Sequence, residues 1–142
     1  MSTRSPTFLG FVDGSSRHTH QLASAAWVIF SPDHLVVSSG GACLGPTSNN
    51  VVEYSAIIEL LQDAISHDIQ SLEVLLDSQL VVSQLNGQYR VRDPTLLRIF
   101  LKVRLLERHF VSITYIHILR SHNYISDAYA NYVLDWHLSH ST

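Results

Sequence analysis

Residues 72–82 read LEVLLDSQLVV, and the apolar run in its first part ends on a carboxylate, Asp77. The part before Asp77 predicts a buried strand, and the part after it predicts a short helix that Asn86 and Gly87 end. Asp77 therefore stands where a strand of the sheet ends and the chain turns into a helix. The ends of strands are where α/β proteins place their ligands, so Asp77 is the first candidate for a functional site.

Three strands are expected before this stretch, and they most simply form an antiparallel meander. Their sequences are TFLGFVD at 7–13, LASAAWVIF at 22–30 and HLVVSSGGACLG at 34–45. The segment GSSRHTHQ, which separates the first two, is rich in turn residues. Residues 51–68 then give the most regular helical pattern of the chain, after several N-cap candidates at 47–50.

The remaining elements complete an α/β pattern. Asp93 and Pro94 form an N-cap with proline at the first helical position, and they open a helix over 94–110. A strand at 111–119 and a terminal helix at 127–138 follow. We expect a five-stranded mixed sheet, three antiparallel strands and two parallel additions, in the order β-β-β-α-β-α-α-β-α. Without a repeat or a linker, one domain over 1–142 is expected, with its core at about 7–138.

Composition excludes several classes of protein. Hydrophobic residues make up 46 % of the chain, yet no apolar run approaches the ~20 residues of a membrane span. No signal peptide is evident, so an intracellular location is expected, with cytoplasm and nucleus both open. Cys43 is the only cysteine, so an intrachain disulfide is excluded, and a small buried side chain in a strand is favoured over a reactive thiol.

The formal charge of −3 argues against a generically basic nucleic-acid binder. Six of the nine basic residues nevertheless fall between positions 90 and 108. Two interpretations stay open at this point: a solvated helix face, or a surface that contacts phosphates.

Four carboxylates occupy related places in the predicted layout. Asp13 ends the first strand, Glu53 lies in the first turn of the first helix, Asp77 ends the fourth strand and Asp127 opens the last helix. Each alone could serve a turn, a cap or a helix dipole. Together at one edge of the sheet they would repel one another unless cations lay between them. Such oxygen ligands suit Mg²⁺ or Mn²⁺, and two such ions support displacement at phosphorus.

Four blocks resemble the signatures of type 1 ribonuclease H: FVDGSS at 11–16, TSNNVVEYSAIIELL at 47–61, LLDSQLVVSQLNGQY at 75–89 and NYISDAYAN at 123–131. They are most similar to the ribonuclease H domains of plant gypsy-like LTR retrotransposon polyproteins and to related single-domain enzymes. The resemblance implies a metal-dependent endonuclease that hydrolyses the RNA strand of RNA/DNA hybrids with two Mg²⁺ ions, which Mn²⁺ can replace. It also implies that the four carboxylates bind these metals.

The resemblance further implies a set of substrate contacts. The candidates are Gly14, Ser15, Asn49, Asn50, Ser78, Gln79, Arg90, Arg92 and Arg120. For Asn49 and Asn50, a role in the loop or as N-cap stays the alternative. The basic loop that some members carry after the position of Gly87 is absent here, and Arg98, Lys102 and Arg104 are expected to substitute for it in part, together with Arg90 and Arg92.

The loop before Asp127 departs from the pattern of many family members. It is short, and its one histidine, His122, is out of register with the usual position. Three interpretations stay open: His122 is catalytic, Arg120 serves instead of the usual histidine, or His122 is a plain surface residue. Two other functions stay open: a ribonuclease H-like module that binds hybrid without turnover, and another nuclease on the same scaffold, such as a resolvase or integrase-like enzyme. An isolated domain is expected to be monomeric, and membership of a reverse transcriptase polyprotein stays open.

Overall fold

A mixed five-stranded sheet organises the protein. The computed structural model describes residues 5–17, 22–123 and 138. The elements are β1 (Thr7–Arg17), β2 (Leu22–Phe30), β3 (Val36–Leu44), α1 (Asn49–Ser66), β4 (Ser71–Leu76), α2 (Gln79–Leu85), α3 (Pro94–Glu107), β5 (Ser112–His117) and a 3₁₀ turn (Arg120–His122). Apart from Leu138, the predicted terminal helix lies outside the described residues.

The strand order across the sheet is β3-β2-β1-β4-β5. Strands β1, β2 and β3 are antiparallel neighbours, whereas β4 runs parallel to β1 and β5 runs parallel to β4. This confirms the predicted α/β fold with its three antiparallel strands and two parallel additions. Because β1, β4 and β5 run in one direction, the residues that follow their parallel parts lie along one edge of the sheet.

Strand β1 is longer than the sequence predicts. The turn-rich residues after Asp13 continue as strand to Arg17 and pair with β2, with Asp13 opposite Ala26 and Gly14 opposite Ala25. The expectation that Asp13 ends its strand is therefore wrong, because pairing with β2 overrides the local preference for a turn. The parallel pairing with β4, however, stops at Phe11. Asp13 thus lies just past the parallel part of β1.

Helix α1 packs along β1 and β2 and forms the centre of the core, with Ile57, Leu60 and Leu61 fully buried. The helix begins at Asn49, and the Ser48 hydroxyl caps it by accepting a hydrogen bond from the Val51 N–H at 3.4 Å. This start is earlier than predicted.

The early start of α1 changes two predictions. Glu53 falls in the second turn instead of the first, where it lies beyond the strongest part of the helix dipole. Asn49 and Asn50 are the first two helical residues, so neither is the N-cap. A purely structural reason for a carboxylate at Glu53 is therefore weakened.

Local signals at the start of α3 and at the end of α2 agree with the structure. Asp93 Oδ2 accepts a hydrogen bond from the Leu96 N–H at 2.8 Å, and Gly87 has a φ of 78°, a left-handed conformation that suits glycine after α2. A cap of α2 was one possible role of Asp77 considered alone, but Asp77 does not cap this helix. The adjacent Ser78 does, through a 3.3 Å bond from the Val81 N–H.

Cys43 lies in β3 as predicted, but it is half-buried instead of buried, because β3 is an edge strand of the sheet. Its partial burial raises the pKa of the thiol, which disfavours the reactive thiolate. Among the described residues, no helix is long and apolar enough to span a bilayer.

Candidate metal centre

Three carboxylates meet at the edge of the sheet. One carboxylate oxygen each from Asp13, Glu53 and Asp77 lies within 4.8 Å of the other two. The fourth predicted ligand, Asp127, lies outside the described residues. The structure therefore brings together the three predicted ligands that it describes.

Topology explains the meeting of the two aspartates. Strands β1 and β4 are parallel neighbours whose last paired residues are Phe11 and Leu75. Asp13 and Asp77 each follow that last pair by two residues, on adjacent strands. Two chain segments far apart in sequence thus deliver carboxylates to one place.

Gly14 explains how Glu53 reaches the same place. A Cβ atom at position 14 would lie 2.4 Å from Val52 Cγ1 and 3.4 Å from the backbone nitrogen of Glu53, so the absence of a side chain lets α1 approach β1 closely. The Gly14 N–H then donates a hydrogen bond to Glu53 Oε1 at 3.1 Å. The close approach of helix and strand therefore places the third carboxylate.

Burial and repulsion act on this cluster together. Asp13 is fully buried and Glu53 is 7 % exposed. Burial, and then the negative charge of Asp77, raise the pKa of Glu53 to about 7, although the Gly14 N–H, Asp13 and Arg120 oppose the rise. Glu53 Oε2 is buried and accepts no hydrogen bond from the part of the chain that the structure describes. A buried oxygen in this state is suited to a cation.

Two residues after β5 complete the described surroundings of Asp77. Asn123 is fully buried, and its Nδ2 donates hydrogen bonds to Val12 O at 3.1 Å and to Asp77 Oδ2 at 3.3 Å. A guanidinium nitrogen of Arg120 lies 3.6 Å from the same Asp77 oxygen, and the arginine side chain is 65 % exposed. Asn123 thus connects the strand that bears Asp13 to the carboxylate of Asp77.

The sequence-based prediction missed Asn123. A signal was present, because Asn123 opens the NYISDAYAN block that resembles the ribonuclease H signature. The composition of that block does not reveal which of its residues is buried against the carboxylates. That information comes from tertiary packing, in which Asn123 lies against Val12 and Asp77, both remote in sequence.

The predicted substrate residues other than the arginines lie on or next to three elements, and a hydrogen bond connects Gly14 to the cluster. Gly14 touches it directly and Ser15 follows in β1. Ser78 caps α2, and the Gln79 amide, at the exposed start of that helix, donates to Ser83 Oγ at 3.2 Å. Asn50 is half-buried at the start of α1, where Asn49 is exposed.

The basic residues divide into two groups. Arg90 and Arg92 are exposed in the connection between α2 and α3, where they can reach a ligand. Arg104 was expected to help contact phosphates, but its guanidinium is already engaged: it donates to Leu85 O at 2.6 Å and pairs with Glu107 at 2.8 Å.

His122 is exposed, and its imidazole makes no hydrogen bond or ion pair with any described residue.

The donor set fits a hard divalent cation. It consists of carboxylate oxygens without a histidine or thiol among the clustered residues, which is the ligand chemistry of Mg²⁺ or Mn²⁺ and not that of Zn²⁺. Glu53 Oε2 supports the same conclusion, because it is buried and accepts no hydrogen bond from the described residues, so a cation could compensate its charge.

Comparison with known proteins relates the chain to ribonucleases H. A family model described as reverse transcriptase-like matches residues 11–133. Ribonuclease HI of Halobacterium salinarum is 37 % identical over 125 residues, which cover 88 % of this chain and 63 % of that protein. A bifunctional protein of Mycobacterium tuberculosis is 34 % identical, but the match covers only 34 % of its length. The chain thus spans less than two thirds of these curated relatives.

Solved structures match over nearly their whole length. Ribonuclease H1 of Halobacterium salinarum has a TM-score of 0.85 at 35 % identity, covering 91 % of this chain and 98 % of that one. The N-terminal ribonuclease H domain of the Mycobacterium tuberculosis protein has a TM-score of 0.89 at 31 % identity, covering 97 % and 100 %. LC11 ribonuclease H1, solved with an RNA/DNA hybrid, has a TM-score of 0.85 at 31 % identity, covering 92 % and 99 %.

The raised pKa of Glu53 predicts how stability depends on pH in the absence of divalent ions. The pKa rises from an ordinary 4.5 to about 7 on folding, so the protonated carboxyl favours the folded state. This contribution is complete below the unfolded value and is lost as the pH rises through the folded value. We expect the Tm in EDTA to fall between about pH 5 and about pH 8, and Glu53→Gln to flatten this fall.

Glu59→Gln is the matched control, because it removes a carboxylate of the same helix outside the cluster. Thermal melts in EDTA across the pH range provide the measurement. A fall in Tm as steep for Glu53→Gln as for the wild type would contradict the assignment.

Asn123→Ala removes the donor to Asp77 and to the Val12 carbonyl. Because both acceptors are buried, we expect a loss of about 1–3 kcal/mol in the free energy of unfolding. We also expect weaker binding of Mn²⁺, since Asp77 would no longer be held in place. Urea unfolding and calorimetric titration with Mn²⁺ measure the two effects.

Asn86→Ala is the control for a purely structural loss, because the Asn86 amide also donates to a strand carbonyl, Tyr115 O, at 3.3 Å. Asn86→Ala is expected to leave Mn²⁺ affinity unchanged. Equal Mn²⁺ affinity in wild type and Asn123→Ala would remove the positioning role of Asn123.

Proposed function

Because this chain belongs to the ribonuclease H-like family, we propose that it is an endonuclease that hydrolyses the RNA strand of RNA/DNA hybrids. The observation that supports this proposal most strongly is the buried cluster of Asp13, Glu53 and Asp77, whose oxygens lie within 4.8 Å of one another. A cluster of this kind is unfavourable for stability alone, since three carboxyl groups are held close together away from water. Its place at the ends of parallel strands is typical of a ligand site.

The three carboxylates, with Asp127 as a fourth, are proposed to hold two divalent ions, Mg²⁺ with Mn²⁺ as a substitute. When bound there, such ions would supply an activated water and charge stabilisation for the leaving oxygen in displacement at phosphorus. Glu53 must lose its proton to serve as a ligand, and its pKa of about 7 makes that loss accessible near neutral pH. Asp77 is held for this task by Asn123.

Arg120 is proposed to contact a phosphate of the substrate beside the cluster. Its guanidinium lies 3.6 Å from Asp77 Oδ2 while most of the side chain is exposed, so it can face a ligand and a carboxylate together. His122, exposed in the same turn, is the alternative group for proton transfer. Arg120→Ala and His122→Ala, assayed side by side, distinguish the two.

Recognition of the hybrid is proposed to divide between two surfaces. The 2′-hydroxyl distinguishes RNA from DNA, and Asn49, Asn50 and Gln79 are proposed to contact the minor groove that displays it. This role is supported for the two asparagines because Ser48 caps α1, so neither asparagine side chain is needed as the N-cap. Arg90 and Arg92, exposed before α3, are proposed to contact phosphates, which predicts a steep dependence of affinity on salt.

Gly14 and Ser15 follow Asp13 directly in β1, and Ser78 follows Asp77, so these residues are proposed to line the substrate beside the metals. The LC11 enzyme, solved with an RNA/DNA hybrid, supports the choice of substrate class for this chain. A retroelement origin and the monomeric state of an isolated domain stay predictions.

Cleavage of an end-labelled RNA/DNA hybrid tests the proposal. We expect the wild type to cut only the RNA strand in Mg²⁺ or Mn²⁺, and EDTA to stop the reaction. Asp77→Asn should fold and lose about 10²-fold to 10³-fold or more in rate, because the metals would lose a ligand. Asp68→Asn, which changes an exposed aspartate outside the cluster, should cut like the wild type.

The other outcomes assign other functions. Binding of the hybrid without cutting by a folded wild type would make the chain a recognition module. Preferred cutting of branched or duplex DNA would make it another nuclease on this scaffold. Cutting by Asp77→Asn at the wild-type rate would remove the proposed role of the carboxylates.

A further inference from the structure

Helix α3 is apolar on two opposite sides. Its inner side packs against the core through Leu96 and Val103, which are 6 % and 0 % exposed. Its outer side exposes Leu97, Leu101 and Leu105, at 38 %, 53 % and 60 %. These three leucines, called the outer stripe below, recur every four residues and therefore form one line along the helix.

An ordinary surface helix presents polar residues to solvent. The outer stripe departs from that pattern, because its three leucines are exposed along the helix. Aliphatic residues that are exposed singly need no explanation, but aligned ones mark an interaction surface more often. The exposed leucines are therefore a second feature of the basic segment besides its solvated cations.

The charges beside the outer stripe have one sign. Arg98 and Lys102 are exposed next to it, and Arg108 is exposed at the end of the helix. The one acidic residue of α3, Glu107, is occupied on its inner side. It accepts hydrogen bonds from Arg104 at 2.8 and 3.0 Å and from the Tyr115 hydroxyl at 2.6 Å. The outer side of α3 therefore offers leucines and cations without a carboxylate of its own helix.

These two features select among the possible occupants of the surface. A nucleic-acid backbone would satisfy the cations but offers no aliphatic surface to match the leucines. A second copy of α3 would match the leucines but would oppose cation to cation. An anionic bilayer would satisfy both, but α3 is fixed along its inner side, so only a narrow strip could sink to the depth that interfacial helices reach.

We propose that the outer stripe binds an acidic amphipathic helix of a protein partner. Leucine-like side chains of that helix would pack on Leu97, Leu101 and Leu105, and its carboxylates would face Arg98 and Lys102. This is a helix-on-helix contact of the kind that amphipathic segments make with apolar surfaces. The surface shares no residue with the carboxylate cluster, so the proposal goes beyond the proposed nuclease activity and stands without it.

The test uses two fluorescent synthetic peptides with the same leucines at helical spacing, one flanked by glutamates and one by lysines. Fluorescence anisotropy with the whole chain is expected to show saturable binding of the acidic peptide that weakens with salt, and no binding of the basic one. Leu101→Gln is expected to weaken binding of the acidic peptide at least about tenfold. Leu35→Gln, at a leucine that is 65 % exposed in the turn before β3, should bind like the wild type.

Circular dichroism melts check that both variants are folded. We expect both to fold, because Leu101 and Leu35 are largely exposed. Several results would overturn the proposal: no saturable binding of the acidic peptide, equal binding of both peptides, or no effect of Leu101→Gln. Binding of anionic vesicles that depends on Leu101 would replace it by a membrane surface. Self-association that Leu101→Gln abolishes would replace it by a homodimer.

The nuclease assay separates this proposal from the proposed function. Cleavage of the hybrid by Leu101→Gln is expected at the wild-type rate. A fall in cleavage without a loss of stability would place the outer stripe in the substrate surface and overturn the proposal. An inactive wild type that binds the acidic peptide would instead leave the proposal intact and remove the nuclease function.

Discussion

Mutual repulsion among buried carboxylates is the constraint around which this protein is arranged. Asp13, Glu53 and Asp77 approach within 4.8 Å of one another where little water can screen them. The described surroundings supply only partial compensation: a backbone N–H from Gly14, an amide from Asn123 and the exposed guanidinium of Arg120. Burial of Glu53, and then the negative charge of Asp77, still raise the pKa of Glu53 to about 7. Divalent cations would supply the missing positive charge, so the cluster makes physical sense as a site that is complete only with its metals.

A second set of buried polar contacts keeps the elements that carry these carboxylates in place. Tyr54, the neighbour of Glu53 on α1, donates a hydrogen bond from its hydroxyl to Gln84 Oε1 on α2 at 2.8 Å. Its ring meets that of Phe100 on α3 edge to face at 6.3 Å. Arg104 lies 4.6 Å over the same Phe100 ring. Because α2 begins two residues after Asp77, this network fixes the helix that bears Glu53 relative to the strand end that bears Asp77.

Much of the fold follows from the sequence, for identifiable reasons. The hydrophobic run of β4, the cap at Asp93 and the glycine after α2 are local signals, and the structure agrees with them. The extension of β1 past Asp13 was not predictable from local composition. It depends on pairing with β2, and this pairing overrides the turn preference of the residues after Asp13.

The site shows the same division between local and tertiary information. Motif blocks identify Asp13, Glu53 and Asp77. Parallel topology explains why the two aspartates meet, and the close approach of α1 to β1 at Gly14 explains the position of Glu53. The inward turn of Arg104 toward Glu107 and the burial of Asn123 depend on tertiary packing, so composition could suggest a basic surface and a polar loop but not which residues remain available.

The most direct test of the account is to locate the metals. Crystals grown with an RNA/DNA hybrid in Ca²⁺ and then soaked briefly in Mn²⁺ would give anomalous difference density at each bound Mn²⁺. The proposed metal site predicts two peaks about 4 Å apart, each within direct coordination distance of at least two among Asp13, Glu53 and Asp77. The absence of density between these carboxylates, with Mn²⁺ bound elsewhere or not at all, would contradict it.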